Sequence, residues 1–192
     1  MAPLDYPDEG CLSITMSTAF VDIPNSGRHM TVGANRPRPL IDLRQYAVTT
    51  AERNDAAGKV GWAAAYHYVV ENGHYHVSSP LPEGSERMER QQCFYNGFRL
   101  VTELDLNYAE GVARSGRFTT WHAWGVTDDG LVVDPTWDHP EENQYFGIAV
   151  RPQPYAEAMC EMSWGMSMPL LEAVFVLKLG NMPELLVVPN WK

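Results

Sequence analysis

The spacing of apolar residues changes along the chain, from the 3.6-residue period of a helix to the period of 2 that is typical of strands. Residues 55–72 follow the helical period, as do the residues from about 86 to 104. Beyond residue 105 the alternating period predicts four strands, at 107–113, 119–127, 130–134 and 145–150. Helices followed by an antiparallel sheet indicate an α+β domain.

Shorter segments extend this pattern. Residues 74–78 alternate like a brief strand, and the Asp-Asp-Gly sequence at 128–130 predicts the turn of a hairpin. Residues 185–188 predict a further strand. Residues 170–179 are mostly apolar, and either a short helix or a buried strand would satisfy that composition.

A length of 192 residues predicts a single domain. Residues 1–39 are rich in Pro, Gly, Ser and Asn, so we expect an extended N-terminal region that packs along the core and helps to shape or cover a cleft. The motifs that carry chemistry fall in residues 85–150.

The charge of the chain limits its partners. The formal net charge is −10, which repels phosphate backbones and anionic lipids, so neither a nucleic acid nor a membrane surface is expected as a partner. No apolar run approaches the roughly 18 residues that a membrane span needs. The first residues lack a basic stretch followed by an apolar core, and we therefore expect a soluble, cytoplasmic protein.

The three cysteines, Cys11, Cys93 and Cys160, are an odd number without a common spacing. Without a CxxC pair they predict free thiols in a reducing compartment, and neither a disulfide framework nor structural zinc. His74 and His76 lie on one side of a predicted strand, but no third ligand is spaced beside them, so no metal site is expected.

One cysteine has the neighbours that nucleophilic catalysis needs. A reactive thiolate is often found at a helix N-terminus, with a base in hydrogen-bond reach and a third group that orients the base. Cys93 lies in the first half of a predicted helix, His122 in the middle of a strand and Asp134 at the end of the next strand. On one hairpin the histidine and the aspartate can lie directly opposite each other or diagonally.

Each of these three residues belongs to a tripeptide that resembles a motif of the transglutaminase-like cysteine enzymes. Gln92, Cys93 and Phe94 resemble the Gln-Cys-Trp of that superfamily. The His-Ala-Trp sequence from His122 and the Asp-Pro-Thr sequence from Asp134 match its other two motifs, in the same order.

The resemblance implies a papain-like or transglutaminase-like α+β fold, in which the helix that carries the cysteine packs on the antiparallel sheet. It implies that Cys93 is the nucleophile, His122 the general base and acid, and Asp134 the orienting carboxylate. It also implies acyl transfer from an amide or ester to water or an amine, with no cofactor. A protein or peptide would then be the substrate.

Three other residues are candidates for binding substrate. Gln92 could help the backbone N–H of Cys93 to stabilise an oxyanion. Glu110 lies on a strand next to the proposed site and is a candidate substrate contact, with a solvated face as the alternative. Trp124 either lines the cleft or fills a core.

Two functions are compatible with this pattern. The first is a cysteine-dependent hydrolase or acyltransferase that acts on an amide or isopeptide bond through a thioester intermediate. The second is a non-catalytic module of the same fold that binds a partner protein, with a vestigial or buried triad. An open cleft at Cys93 favours the enzyme, and a sealed one favours the binding module.

Overall fold

The structure is a computed structural model that describes residues 42–151 and 169–177. Several expectations from the sequence concern residues outside these ranges, namely the extended region at 1–39, the strand at 185–188, and the surroundings of Cys11 and Cys160.

The described part of the chain contains four α-helices and one 3₁₀-helix. They are α1 (Leu43–Ala56), α2 (Val60–Asn72), α3 (Cys93–Leu104), α4 (Leu170–Leu177) and the 3₁₀-helix Pro140–Glu142. The apolar segment from residue 170 is therefore helical. Within residues 42–151 and 169–177, no helix is long and apolar enough to cross a membrane.

Five strands form one sheet, in the spatial order β1-β5-β2-β3-β4. All the pairings between these strands are antiparallel. They are β1 (His74–His76), β2 (Asn107–Ser115), β3 (Phe118–Val126), β4 (Val132–Val133) and β5 (Gln144–Val150). Together with the helices, this sheet confirms the α+β class.

The two faces of the sheet belong to different cores. Tyr108, Val112 and Trp121 point to the face that packs against all four α-helices, which we call the helix-bearing face. On the opposite face, Trp124 and Tyr145 belong to a second cluster with small residues of β2 and β5. Burial on both faces explains why β2 has buried residues at nearly every position.

Helix α3 lies close to the helix-bearing face because one of its residues has no side chain. A Cβ atom at Gly97 would be 2.9 Å from a ring carbon of Tyr108, which is too short for any real contact. The glycine therefore lets α3 pack tightly against β2 and β3.

Two helices differ from the prediction. α1 was not predicted, since two of its buried positions, Ala47 and Ala51, are alanines and give only a faint apolar stripe. α3 begins at Cys93 rather than near residue 86. Gln91 has a φ of 66°, in the left-handed region, which prevents a continuous helix across that position.

Candidate active site

Cys93 is the first residue of α3, and its backbone N–H lies in the helical turn where amide groups have no intrahelical acceptor. The first intrahelical bond joins the N–H of Asn96 to the carbonyl of Gln92, at 2.8 Å. The thiol therefore lies at the positive end of the helix dipole, a position that stabilises an anion.

The start of α3 is fixed by the buried amide side chain of Asn96. Its Nδ2 donates to the carbonyl of Glu89 at 2.8 Å and to Oγ1 of Thr136 at 2.9 Å. A second bond, from the N–H of Met88 to the carbonyl of Pro135, is 3.1 Å long. The segment before Cys93 is thus tied to the segment after Asp134, although they are far apart in the sequence.

His122 and Asp134 form a buried pair. His122 Nε2 lies 2.9 Å from Asp134 Oδ2, and the side chains are 2% and 0% exposed. Val133 of β4 pairs with Gly125 of β3. Continuing that register sets Asp134 beside Trp124, two residues from His122, so the diagonal arrangement is the one that occurs.

The carboxylate of Asp134 accepts two further hydrogen bonds. Its Oδ1 accepts from the backbone N–H of Thr136 at 2.9 Å, and Oδ2 also accepts from the hydroxyl of Tyr145 at 2.9 Å. Burial raises the pKa of Asp134, but the charge of His122 and these donors outweigh burial and lower it below its usual value. The carboxylate is therefore ionised and held in one orientation.

The imidazole of His122 lies between two acidic partners. Because Nε2 faces Asp134, Nδ1 is the nitrogen left for the thiol of Cys93. Burial lowers the pKa of His122, but the charge of Asp134, its hydrogen bond and the hydrogen bond to Cys93 raise it to about 9. The ring is therefore an imidazolium at neutral pH, next to the thiol of Cys93.

Two indole rings stack with this imidazole. The Trp137 ring is 4.0 Å from it between centroids, at an interplanar angle of 12°, and the Trp124 ring is 6.2 Å away at 20°. A cation that lies within about 6 Å of an aromatic ring face is attracted by the electrons of that ring. Trp137 therefore stabilises the protonated ring and shields its bond to Asp134 from water.

The thiol and the imidazole line a cleft with a volume of about 530 Å³. Four phenylalanine and tryptophan side chains share its wall with polar groups. The lining residues are Arg90, Gln91, Cys93, Phe94, Ser115, Phe118, Thr120, Trp121, His122, Thr136, Trp137 and Asp138.

The three other candidates lie elsewhere. Gln92 is the N-cap residue of α3, is exposed, and is not part of the cleft wall, whereas its neighbour Gln91 is. Trp124 is fully buried in the cluster on the opposite face. Its contact is therefore with His122 and the core, and not with a substrate.

Glu110 is neither a substrate contact nor part of a solvated face, because it is fully buried under the helices. Its carboxylate accepts from Trp121 Nε1 at 2.7 Å and the Tyr108 hydroxyl at 2.8 Å. It also accepts from the N–H groups of Leu170 at 2.7 Å and Leu171 at 3.3 Å, at the start of α4. Burial raises the pKa of Glu110 to about 7, and these four donors oppose that effect.

The structure adds three residues to the site that the sequence did not assign to it: Asn96, Trp137 and Tyr145. Trp137 follows Asp134 closely in the chain, so its proximity was a signal available in the sequence. Tyr145 depends on β5 lying on the other side of β2 from β3, and the sequence offered no sign of that strand order.

In the described ranges, one set of three side chains could converge on a cation. Ligand atoms of His139, Glu141 and Glu142 lie within 4.8 Å of one another, and all three residues are exposed. His74 and His76, whose ring centroids are 4.5 Å apart, are not joined there by a third ligand.

The site thus holds an imidazolium and a carboxylate joined by a hydrogen bond, with a thiol beside the imidazolium at the wall of one cleft. Comparisons of the chain with models of protein families, with curated proteins and with solved structures found no match.

Proposed function

We propose that the protein is a cysteine-dependent hydrolase or acyltransferase that acts on an amide or isopeptide bond of a protein or peptide. The observation that carries this proposal is the buried pair of His122 and Asp134, 2.9 Å apart, whose imidazole interacts with the thiol of Cys93 and lines the same cleft. Nucleophile, base and orienting carboxylate are the parts that acyl transfer requires.

In the acylation step, the thiolate of Cys93 attacks the carbonyl carbon of the substrate and forms a C–S bond. The tetrahedral intermediate collapses and its C–N bond breaks. The imidazolium of His122 gives its proton to the leaving nitrogen, which departs as a neutral amine. The products of this step are a thioester on Cys93 and a neutral imidazole.

The oxyanion of the tetrahedral intermediate needs hydrogen-bond donors. The backbone N–H of Cys93 is one, since it begins α3 and has no acceptor within the helix. The side-chain amide of Gln91, which lines the cleft, is a second donor. Both groups lie where the helix dipole favours negative charge.

In the second step, neutral His122 takes a proton from water while the water oxygen attacks the thioester carbon. The C–S bond breaks, a carboxylic acid leaves, and the thiolate–imidazolium pair is restored. An amine in place of water would give transfer instead of hydrolysis. Hydrolysis is favoured because water needs no second binding site.

The finer fold assignment is part of this proposal. A helix that begins with the cysteine, a strand that carries the histidine and an aspartate after the next strand follow each other in that order. The same order is found in the transglutaminase-like enzymes that the sequence motifs resemble. No cofactor is needed for the steps given above.

A second candidate is a non-catalytic module that binds a partner protein. The small exposed fraction of the triad favours it, since Cys93 is 9% exposed and Asp134 is fully buried. In that case the pair of His122 and Asp134 would serve only to hold β3 and β4 together.

Alkylation of Cys93 separates the two functions. Iodoacetamide should modify Cys93 rapidly at about pH 6–7, where ordinary thiols react slowly because they are protonated. Cys11 and Cys160 provide comparison within the same chain, and peptide mass spectrometry resolves the three sites. His122→Ala should slow the modification of Cys93 by at least about tenfold, and Asp134→Asn should slow it less, because the ring remains in place.

Cys93→Ser provides the control for turnover, since it should abolish hydrolysis of a peptide thioester and leave the fold intact. If all three cysteines react equally slowly, and His122→Ala changes nothing, then the site holds no activated nucleophile. That result would favour the binding module.

A further inference from the structure

Four of the twelve residues that line the cleft beside the thiol are phenylalanine or tryptophan. Phe94, Phe118, Trp121 and Trp137 all line it, and they come from α3, β3 and the segment after β4. Aromatic side chains that converge with polar groups in one cavity are typical of sites that bind small molecules. Its volume, about 530 Å³, lies within the range of such sites, roughly 300–1,000 Å³.

Phe118 is the most distinctive member of this wall. It is 63% exposed, at the first position of β3, and its ring meets that of Trp137 edge to face, with centroids 6.4 Å apart. A large exposed aromatic side chain at the mouth of a cleft indicates a binding surface. Trp137 in turn stacks on His122, so this aromatic surface extends to the reacting groups.

The ionisable side chains of the cleft wall have partners within the protein. Apart from the triad they are Arg90 and Asp138, which form an ion pair, and Asp138 also lies 3.4 Å from Arg87. Cys93 and His122 interact with each other. Each ionisable group of the described wall thus has a partner within the protein.

We infer that the acyl group of the substrate carries an uncharged aromatic ring, which packs against the exposed ring of Phe118 and the adjoining Trp137, next to the scissile carbonyl. This inference rests on the proposed function and specifies its substrate class. The rings of Phe118 and Trp137 should bind another aromatic ring more tightly than an aliphatic ring of similar size. Aromatic pairs have an interaction energy beyond that of the apolar area that they bury.

The test uses three thioesters of N-acetylcysteamine, a small uncharged aliphatic thiol, so that the acyl group alone varies. Their acyl groups are phenylacetyl, cyclohexylacetyl and acetyl. The thiolate of Cys93 attacks the thioester carbon, the bond to cysteamine sulfur breaks, and the imidazolium protonates the leaving thiolate. Each rate of acylation, measured by mass spectrometry of the quenched protein, is divided by the rate with free N-acetylcysteine.

We expect the normalised rate with the phenylacetyl thioester to exceed the other two by roughly threefold to tenfold, the range of one aromatic contact. Phe118→Ala should bring the phenylacetyl-to-cyclohexylacetyl ratio close to one. Leu104→Ala is the matched control, because Leu104 is 55% exposed and does not line this cleft, and it should leave the ratio unchanged.

Iodoacetamide, which has no aromatic group, distinguishes the two ways of failing. If it still modifies Cys93 rapidly and in a His122-dependent manner while the three normalised rates are equal, the aromatic inference is overturned and the proposed function stands. A cyclohexylacetyl rate equal to the phenylacetyl rate also overturns it. Slow modification by iodoacetamide would remove the proposed function and this inference with it.

Discussion

At the scale of single residues, the orientation of the imidazole depends on a carboxylate that has no contact with water. Asp134 is fully buried and accepts from His122, Tyr145 and the backbone of Thr136. Every donor that is lost leaves a buried acceptor less satisfied, at a cost of about 1–3 kcal/mol. Tyr145 is therefore a positioning residue, which acts on His122 through Asp134.

Tyr145→Phe removes one donor and keeps the ring. We expect the free energy of unfolding in urea to fall by about 1–2 kcal/mol. We also expect slower alkylation of Cys93 at the acidic end of its pH profile, because the pKa of Asp134 rises when the hydroxyl no longer bonds to its anion.

Tyr75→Phe is the matched control, since its hydroxyl also donates to an aspartate, Asp42, but at an exposed site. It should leave the alkylation profile of Cys93 unchanged. If Tyr145→Phe lowers stability and leaves that profile the same as the wild type, then the hydroxyl has a structural role only.

At the scale of elements, one buried carboxylate connects α4 with the wall of the cleft. Glu110 accepts from the first two N–H groups of α4 and from the indole of Trp121, which lines the cleft. An anion at a helix N-terminus is stabilised both by those donors and by the helix dipole. The docking of α4 and the position of Trp121 therefore depend on the same two oxygen atoms.

Glu110→Gln replaces one acceptor oxygen by an NH₂ group that faces donors. We expect it to lower the free energy of unfolding by about 2–4 kcal/mol, from a lost hydrogen bond and a lost interaction with the helix dipole. Hydrogen exchange followed by mass spectrometry should show faster exchange in residues 170–177.

Glu172→Gln is the comparison variant, because Glu172 lies in the first turn of the same helix and is only half-buried. We expect it to change stability by less than about 0.5 kcal/mol. Equal exchange rates in the Glu110→Gln variant and the wild type would show that α4 is held by its apolar side chains alone.

Much of the sheet could be predicted from the sequence, because alternation is a local signal. The strand expected at 145–150 is β5, Gln144–Val150, and the hairpin of β2 and β3 has bounds close to those expected. The order of Cys93, His122 and Asp134 along elements also followed from local patterns, although their geometry did not.

The surroundings of Glu110 and Asp134 could not be predicted, because they depend on contacts between segments that are separated in the sequence. The four donors of Glu110 include N–H groups of Leu170 and Leu171, sixty residues further along the chain. Tyr145 reaches Asp134 only because β5 lies beside β2. Neither pairing leaves a periodic trace in the sequence, and so Glu110 seemed available to a substrate.

At the scale of the whole molecule, stability should fall as the pH rises from neutral to alkaline. The pKa of His122 is raised to about 9 in the folded protein by Asp134 and the thiol, which outweigh the opposing effect of burial. Folded His122 keeps its proton up to that pH, whereas in the unfolded chain it loses it near 6.5. Its contribution is therefore fully present below 6.5 and is lost as the pH rises through 9.

We expect the free energy of unfolding in urea to fall by roughly 2–3 kcal/mol between pH 6.5 and pH 9 through this group. In Asp134→Asn the drop should shrink markedly, because the imidazolium loses its anionic partner. Glu141→Gln, an exposed carboxylate bonded to exposed His139, is the control and should retain the full drop. If the free energy of unfolding of the Asp134→Asn variant falls as much as that of the wild type, then groups other than His122 cause the fall.

Glu110 also makes the free energy of unfolding fall as the pH rises, but over a lower pH range. Burial raises its pKa to about 7, so the folded protein holds a proton that the unfolded chain releases above about 4.5. His76 acts oppositely, because burial and the charge of His74 lower its pKa to about 3, against a bond to Gly147 that raises it. Its contribution is lost as the pH falls from 6.5 toward 3, so it opposes the effect of Glu110 where the two ranges overlap.

The three reacting groups all belong to one continuous stretch of the chain, from Cys93 through His122 to Asp134, in α3, β3 and the residue after β4. The contact of His122 with Asp134 closes a separation of 12 residues, so its loop-closure entropy is modest and it can form early in folding. Tyr145 comes later in the sequence, and α4 must pair with Glu110 across a separation of 60 residues. A nascent chain that has been synthesised as far as Asp134 would therefore already contain all three reacting groups. Tyr145 and α4 would still have to be added.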